Sequence, residues 1–376
     1  FGEDEVNQLL NAVEYYRTKK QDPPYQGYFE QEFCDAFSEF MGGGYADGVA
    51  TGTAACYVAL AALDLPPGSE VIISPVTDSG PLNCIILLGL VPVVADSGTD
   101  SYNIGIEQFL ERVTPKTSAL FAVHCAGEPL QIDILVTEAR KRNIKVIEDC
   151  SQATGAMWKN QRIGSFGDIA AFSTMYRKTL TAGASSGIVY SNNERLYNQA
   201  LAYADRGKPT WKNDINLNDP RNALFPSLNF NTDELSCAIG LASLERLQSS
   251  IDSRVAFVSK LIGSLESQSS LCTPYAFHHG FSPFFFPIFV DRTKLRCSKI
   301  SFAEALIAEG INLSSDYGCL ISSWSWASQY LSDNFVTRNA LDTRDRSFNL
   351  FLNEQYGDEE ILDIVAAIVK VESFFS

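Results

Sequence analysis

Three short stretches of the chain carry residue types that could do chemistry. The first is the turn Thr51-Gly52-Thr53-Ala54, whose small residues lead into a helical run. Backbone N–H groups at the start of a helix, with hydroxyls beside them, suit a phosphate group. The same residue types also cap many ordinary helices, so this stretch alone leaves both interpretations open.

The second stretch is the acidic pair Glu148-Asp149, which ends the predicted strand KVIED (145–149). Side chains alternate along a strand, so only one of the two carboxylates can face a ligand while the other turns toward the helix layer. A carboxylate at a strand end can keep a heteroaromatic nitrogen protonated, form an ion pair or bind a metal. A structural helix cap or a surface pair is the alternative interpretation.

The third stretch contains Lys178, which follows the predicted strand IAAFS (169–173) and precedes the small-residue run TLTAGASSG. Such a run lets backbone approach a ligand closely. A lysine in a desolvated pocket has a lowered pKa and can form an imine, whereas an exposed loop lysine does neither. Together, a phosphate cradle, an acid and a lysine match what pyridoxal phosphate requires of a protein.

These stretches must be positioned by the elements around them. Short apolar strands alternate with helical runs between about residues 45 and 190, which predicts an α/β fold with a mostly parallel sheet covered on both faces. The predicted strands are 70–74, 91–96, 118–123, 145–149, 169–173 and 187–191, and the predicted helices are 53–63, 81–88, 106–113 and 134–142. Ligands of such sheets bind beyond the carboxyl ends of the strands, where the three stretches lie.

The C-terminal part of the chain predicts a second, smaller unit. A helix is expected over 232–247 with Thr232 as its cap, and a helix over 251–267 is expected to cross to the smaller domain. A strand over 284–290 and helices over 302–309 and 358–375 follow. The predicted organisation is therefore a large cofactor-binding domain with N-terminal helices (1–247) and a small C-terminal α+β domain (248–376).

Composition excludes several classes of protein. The formal charge of −16, from 45 acidic and 29 basic residues, argues against a nucleic-acid partner. No apolar run reaches the roughly 18–20 residues that span a bilayer, and the opening FGEDEV is not a signal peptide. Nine cysteines without zinc-type spacing predict buried reduced thiols, a cytoplasmic location and no metal site.

The order and spelling of the motifs resemble the DegT/StrS family of sugar aminotransferases, which are fold type I pyridoxal phosphate enzymes of the aspartate aminotransferase kind. The resemblance covers nearly the whole chain. Its strongest parts are TGTAA (51–55), PGSEVIISP (67–75), GLVPVVAD (89–96), EDCSQATGA (148–156), GSFGDIAAFSTMYRKTLTAG (164–183) and LNFNTDELSCAIGLASLERL (228–247). It implies a three-layer α/β/α large domain with a smaller C-terminal α+β domain.

The resemblance also implies roles for individual residues. Lys178 corresponds to the lysine that forms the internal aldimine and carries protons, and Asp149 to the partner of the pyridine nitrogen. Gln152 corresponds to the residue beside the ring hydroxyl. Phosphate ligands are implied at Thr53, Ala54 and Ser173. Asn229 corresponds to a residue that reaches the phosphate of the neighbouring subunit, which implies a homodimer with shared active sites.

The chain departs from the family pattern at three places. The segment Pro75-Val76-Thr77-Asp78-Ser79-Gly80 has no aromatic residue where the family commonly has a ring that stacks on the cofactor. GASSG (183–187) replaces the usual GEGG, and Asn231 replaces an arginine. Asp78 or Ser79 is expected to cover the ring instead and to contact substrate, and Tyr317 falls near the family's pocket tyrosine.

The resemblance implies an aminotransferase that moves an amino group from an amino acid, glutamate or glutamine, to a keto or aldehyde sugar, such as a nucleotide-linked one. The cofactor would be pyridoxal 5'-phosphate, converted to pyridoxamine 5'-phosphate during turnover. A sugar dehydratase on the same fold is one alternative, although such relatives carry a histidine in place of the lysine. A pyridoxal phosphate-binding regulatory protein is the other.

Overall fold

The computed structural model describes residues 2–375, which form sheets of seven and four strands packed against helices and a two-stranded sheet made of Met157–Trp158 and Gln161–Arg162. The helices are α1 (Glu3–Lys19), α2 (Tyr28–Met41), α3 (Gly52–Ala61), α4 (Ser79–Leu87), α5 (Ile106–Arg112), α6 (Ile132–Arg140), α7 (Glu194–Ala204), α8 (Glu234–Glu245), α9 (Leu247–Gln268), α10 (Lys299–Ala308), α11 (Arg338–Arg346) and α12 (Asp358–Phe375). The strands are β1 (Tyr45–Val49), β2 (Glu70–Ile73), β3 (Val91–Val94), β4 (Thr117–Val123), β5 (Lys145–Asp149), β6 (Met157–Trp158), β7 (Gln161–Arg162), β8 (Ile169–Ser173), β9 (Gly187–Ser191), β10 (Cys272–Pro274), β11 (Phe285–Val290), β12 (Leu313–Ser314) and β13 (Ser347–Phe351).

The larger sheet has the strand order β1-β9-β8-β5-β4-β2-β3. Strands β3, β2, β4, β5 and β8 run parallel to one another. Strand β9 runs antiparallel to both β8 and β1. Because β1 and β8 both oppose β9, β1 points in the same direction as the parallel strands. The prediction of a mostly parallel sheet is confirmed, and the carboxyl ends of its parallel strands meet at one edge.

Helices cover both faces of this sheet, as continuous apolar strands require. Adjacent residues of β4 show the division: Phe121 packs in the core beneath α3 and α4, whereas Leu120 packs in the core beneath α5 and α6. Helices α1, α2 and α8 form a further core with β8 and β9. The three-layer α/β/α arrangement is thus confirmed.

The second sheet is antiparallel, in the order β10-β11-β13-β12. Its core is shared with α9, α10 and α12. This is the expected C-terminal α+β unit, and α9 begins at Leu247, beside the predicted boundary. The division into domains at residue 247 itself stays a prediction.

The cap predicted for α8 is wrong by one residue. Asp233 caps the helix, because its Oδ1 accepts the N–H groups of Leu235 (3.1 Å) and Ser236 (2.9 Å). The hydroxyl of Thr232 lies instead 3.0 Å from that of Ser186. Similarly, α4 begins at Ser79 rather than at residue 81, because Asp78 accepts the N–H of Gly80 (2.9 Å).

A buried carboxylate joins α8 to the N-terminal helices. Glu234 accepts the N–H groups of Phe29 and Glu30, both at 2.8 Å, and the hydroxyl of Tyr16. A negative charge at the start of α2 is favourable because the first N–H groups of a helix lack partners and carry partial positive charge. Residues 2–375 contain no helix that combines the length and apolar character needed to cross a membrane.

Two other buried carboxylates in this region lack full hydrogen bonding. Glu30 is 3% exposed and Asp47 is 5% exposed, and Glu30 Oε1 and Asp47 Oδ2 have no hydrogen-bond partner within residues 2–375. Burial raises the pKa of Glu30 to about 7, and burial together with the Glu30 charge raises that of Asp47. A carboxyl that is protonated in the fold but ionised in the unfolded chain destabilises the protein as pH rises.

We therefore predict that Glu30→Gln increases the free energy of unfolding by about 2 kcal/mol at pH 8 and changes it little at pH 4.5. The carbonyl of the glutamine can still accept the N–H of Gln26, which Glu30 Oε2 accepts at 2.9 Å. Urea denaturation at both pH values measures the effect, with the exposed Glu32→Gln on the same helix as control. Equal destabilisation by Glu30→Gln at both pH values would refute the charge argument.

Candidate active site

A cavity of about 880 Å³ opens at the carboxyl edge of the large sheet. Residues that follow β1, β2, β5 and β8 contribute to its wall, as expected for a sheet of this topology. Seven of the predicted site residues line it together: Thr53, Asp78, Asp149, Gln152, Ser173, Lys178 and Tyr317. The topology therefore brings together residues that lie up to 264 positions apart (317 − 53).

The turn before α3 forms one end of the cavity. Its approach to β8 is so close that a Cβ on Gly52 would lie 2.4 Å from Ser173 Cβ, which is a contact that only glycine avoids. The hydroxyls of Thr53 and Ser173 line the cavity here and make no hydrogen bond to another described residue. One free hydroxyl in the first turn of α3 and a second at the adjacent end of β8 form a suitable phosphate cradle.

The predicted phosphate ligand Ala54 does not line the cavity. Its N–H is donated to Thr51 Oγ1 (2.8 Å), which caps α3. The exposed Asn229 also lies outside the cavity of its own chain, where its Oδ1 accepts from Asn231 Nδ2 (2.7 Å). Ser79 is the first residue of α4 and is likewise absent from the wall.

The acidic pair at the end of β5 divides its two carboxylates between the two faces of the sheet. Glu148 is fully buried and accepts the N–H groups of Gly164 (2.7 Å), Phe166 (2.9 Å) and Gly167 (2.6 Å). Asp149 faces the cavity, and its Oδ1 accepts the N–H of Ser151 (3.0 Å). Glu148 is therefore structural, and Asp149 is the carboxylate available to a ligand.

His124, Glu148 and Cys150 bring three potential metal ligands within 4.8 Å of one another. The hydrogen bonds show that the histidine and carboxylate are already committed. His124 Nδ1 accepts the N–H of Leu130 (3.0 Å), so its Nε2 carries the hydrogen that points at Glu148 Oε2 (3.2 Å). We therefore interpret these three residues as structural support beneath the cavity and not as a metal site.

Lys178 projects into the cavity from the turn after β8. The turn is closed by the Lys178 N–H, which is donated to the carbonyl of Met175 (2.9 Å), and by the hydroxyl of Thr181, which is donated to the carbonyl of Lys178 (2.9 Å). Lys178 Nζ lies 4.5 Å from the centroid of the Phe284 ring. Phe284 thus adds an apolar wall to the site that no local sequence signal indicates.

Burial shifts the two central groups of the site in opposite directions. It lowers the pKa of Lys178, against the attraction of the Asp149 and Asp78 carboxylates, and it raises the pKa of Asp149, against its hydrogen bonds to Ser151 and the charge of Lys178. A lysine with a lowered pKa is a better nucleophile at neutral pH. A carboxylate buried beside a cationic group can hold a charged ring nitrogen.

Gln152 and Tyr317 form the opposite wall. Gln152 Oε1 accepts the N–H of Ala126 (3.0 Å), which orients the amide so that Nε2 donates to Tyr317 Oη (3.1 Å). The loop of Tyr317 is fixed against the β2 end, because Thr77 N–H donates to the Cys319 carbonyl (2.9 Å) and Ile321 N–H donates to the Pro75 carbonyl (3.0 Å). The C-terminal part of the chain thereby completes the site.

Several residues on the cavity wall were missed by sequence reasoning. Arg254, Phe284, Cys319 and Glu354 lie outside the recognised motifs, and no local pattern marks them. Thr77, Thr181 and Arg246 lie in or beside recognised segments, but no role in the site was assigned to them. Arg177 precedes Lys178 at the cavity and has no acidic partner within residues 2–375, which makes it a cation available to an anionic ligand.

Comparison with known proteins agrees with this arrangement. The model of the DegT/DnrJ/EryC1/StrS aminotransferase family matches residues 6–369. The chain belongs to this family. Its fold is also that of an aminotransferase from Psychrobacter cryohalolentis, with a TM-score of 0.90 and 25% identity over 100% of this chain and 98% of that one.

Two named relatives align with the chain, one over part of its length and one over nearly all of it. GDP-perosamine synthase of Escherichia coli O157:H7 is 33% identical over 225 residues, which is 59% of this chain and 58% of that protein. The spore coat polysaccharide biosynthesis protein SpsC of Bacillus subtilis is 27% identical over 98% of this chain and 94% of its own length. The alignment with the E. coli protein thus spans little more than half of each chain.

The residues of the cavity fit the cofactor of this family, pyridoxal phosphate. The free hydroxyls of Thr53 and Ser173 suit its phosphate, Asp149 suits its ring nitrogen, and Lys178 supplies an amine for its aldehyde. The glycine at position 52 leaves the space that the phosphate cradle needs.

The division of roles on β5 yields a test. We predict that Glu148→Gln lowers the free energy of unfolding by about 3 kcal/mol, because it removes a buried charge that three N–H groups share. Asp149→Asn is expected to cost less than about 1 kcal/mol, because burial already disfavours that carboxylate. Urea denaturation of both variants without cofactor measures this. Equal losses would contradict the assignment.

Proposed function

We propose that the protein is a pyridoxal phosphate-dependent aminotransferase that moves an amino group from an amino acid to a keto or aldehyde sugar. The observation that carries the proposal is the cavity in which Lys178, with its lowered pKa, shares one wall with the buried Asp149. The names of GDP-perosamine synthase and SpsC among the relatives support a sugar as the acceptor. Glutamate or glutamine is the proposed donor, and a nucleotide-linked sugar the proposed acceptor.

Each residue has a defined task in this proposal. Pyridoxal phosphate, when bound, supplies an electron sink for the bond-breaking step. Lys178 Nζ binds the aldehyde of the cofactor and carries a proton to and from the reacting carbon. Asp149 keeps the ring nitrogen protonated, which maintains the sink. Thr53 and Ser173 hold the phosphate, and Gln152 presents its second amide hydrogen to the ring hydroxyl.

The dehydratase alternative shares the fold. A GDP-4-keto-6-deoxy-D-mannose-3-dehydratase from E. coli has a TM-score of 0.88 with 20% identity, so the fold does not separate the two activities. The lysine at position 178 favours transamination, since the dehydratases that the chain resembles carry a histidine there. Product analysis separates the alternatives: a transaminase delivers an amino sugar, a dehydratase delivers a dehydrated sugar without an amino group, and a regulatory protein gives no turnover.

We predict that Lys178→Ala abolishes the near-visible absorbance of bound pyridoxal phosphate and lowers turnover at least about a hundredfold, since the variant lacks both the amine and the proton carrier. Absorbance spectra and amino-transfer assays measure the two effects. The exposed Lys116→Ala, at the opposite end of the sheet, is the matched control. A Lys178→Ala variant with the wild-type spectrum and turnover would refute the proposal.

We also propose that the protein is a homodimer in which Asn229 reaches the cofactor phosphate of the partner subunit. Asn229 is exposed and lies outside its own cavity, and the nearby Leu224 and Leu228 are 49% and 62% exposed. Exposed apolar side chains around a polar one are typical of an interface.

For this interface, Asn229→Ala is expected to weaken pyridoxal phosphate binding about tenfold, because the variant loses one hydrogen bond to a charged group. Fluorescence titration measures the affinity, and sedimentation measures the oligomeric state. Asn213→Ala, an exposed residue on the preceding loop, serves as control. Unchanged affinity in an Asn229→Ala dimer, or a wild-type monomer that binds the cofactor equally well, would refute the composite site.

A further inference from the structure

Asp78 lies on the cavity wall, in the segment 75–80 that lacks the aromatic residue of the family pattern. It follows β2 and caps α4 through Oδ1, which leaves its second carboxylate oxygen without a partner among the described residues. The side chain is exposed to the cavity that also contains Lys178. A carboxylate supplies none of the stacking energy of an aromatic ring, so its presence calls for a different function.

The backbone holds Asp78 in place. The preceding segment is joined to the loop of Cys319 by the hydrogen bonds of Thr77 and Pro75 described above. On the other side, a Cβ on Gly80 would lie 2.8 Å from Thr53 Oγ1 and 3.4 Å from Asp78 Oδ1, so the carboxylate sits beside the phosphate cradle. Asp78 is therefore a fixed element of the wall.

The three carboxylates of the cavity differ in their partners. Glu354 forms ion pairs with Arg246 (3.5 Å) and Arg254 (3.0 Å). Asp149 is 5% exposed and is assigned to the cofactor ring. Asp78 has no ion-pair partner within residues 2–375, and it is exposed to whatever enters the cavity.

We infer that Asp78 is a specificity-determining residue that binds the positively charged amino group exchanged at Lys178. This inference rests on the proposed aminotransferase function. When the cofactor is bound, the nitrogen of an amine substrate would take the place of Nζ on the aldehyde carbon. The C=N bond to the substrate nitrogen would replace the C=N bond to Nζ, and two protons would pass from the substrate ammonium group to Nζ, which would leave as the free lysine amine. Asp78 and Lys178 line the same cavity, so the free carboxylate oxygen of Asp78 faces the space through which an ammonium group would approach Nζ.

The charges around Nζ support this position. The carboxyls of Asp149 and Asp78 oppose the lowering of the pKa of Lys178 by burial, whereas burial raises the pKa of the Cys125 and Cys319 thiols and leaves both uncharged. The other ionisable residues that line the cavity are Cys56, Tyr176, Arg177, Arg246, Arg254, Tyr317 and Glu354. With Asp149 engaged by the ring nitrogen, Asp78 is the carboxylate left to interact with an ammonium group.

Two neutral variants test the inference. Asp78→Asn and Asp78→Ser remove the charge and keep an oxygen that can cap α4. Asp233→Asn is the matched control, because Asp233 caps α8 in the same way and lies outside the cavity. Each protein is loaded with pyridoxal phosphate, and the absorbance of the bound cofactor is titrated with pH.

A carboxylate beside Nζ favours the protonated form, so the titration midpoint is expected to fall by about one pH unit in both Asp78 variants and to stay constant in Asp233→Asn. Methylamine, which has an amino group but no carboxylate or hydroxyl, is then added as a substrate mimic. Its apparent affinity for the bound cofactor is expected to fall about tenfold in the Asp78 variants.

An unchanged midpoint and unchanged methylamine affinity in both Asp78 variants would overturn the inference. It would also be overturned if the variants lost activity toward a sugar alone, since Asp78 would then bind a hydroxyl. A wild-type protein that binds no pyridoxal phosphate would refute the proposed function itself, and that result is obtained before any variant is compared.

Discussion

The buried carboxylate of Glu148 is the constraint on which the site depends. Three N–H groups from the segment 164–167 converge on it, and His124 donates to it from the end of β4. Because side chains alternate along a strand, fixing Glu148 on one face of β5 fixes Asp149 on the other. The next residue is thereby directed into the cavity, where it meets Lys178 from the end of β8.

The site shows how burial can prepare groups for chemistry. Lys178 and Asp149 lie in surroundings that disfavour charge, so the pKa of the amine falls and that of the carboxyl rises. A bound cofactor with a protonated ring nitrogen and an anionic phosphate would restore the balance of charge. The overall charge of −16 makes a local positive charge necessary for an anionic phosphate, and Arg177 can supply it, since it has no acidic partner within residues 2–375. The hydroxyls of Thr53 and Ser173 add hydrogen bonds.

The sequence predicted the large sheet well because its signals are local. Strands such as 145–149 and 169–173 are short apolar runs, and both lie where they were expected. The cap of α8 was misjudged, since Thr232 and Asp233 are both good caps and the choice depends on the contact of Thr232 with Ser186. Phe284, Arg254 and Glu354 could not be placed in the site, because only the packing of the second sheet on the first brings them there. Asp78 was noticed as a departure from a pattern, but only the three-dimensional structure shows that it has no ion-pair partner among the described residues.

The proposed function requires that Lys178 is the amine that binds the aldehyde of pyridoxal phosphate. Incubation of the protein with the cofactor, reduction with sodium borohydride and peptide mass spectrometry test it directly, because reduction fixes the cofactor to the nitrogen that holds it. We predict one stoichiometric modification, on Lys178. Modification of a different lysine, or none at all, would contradict it.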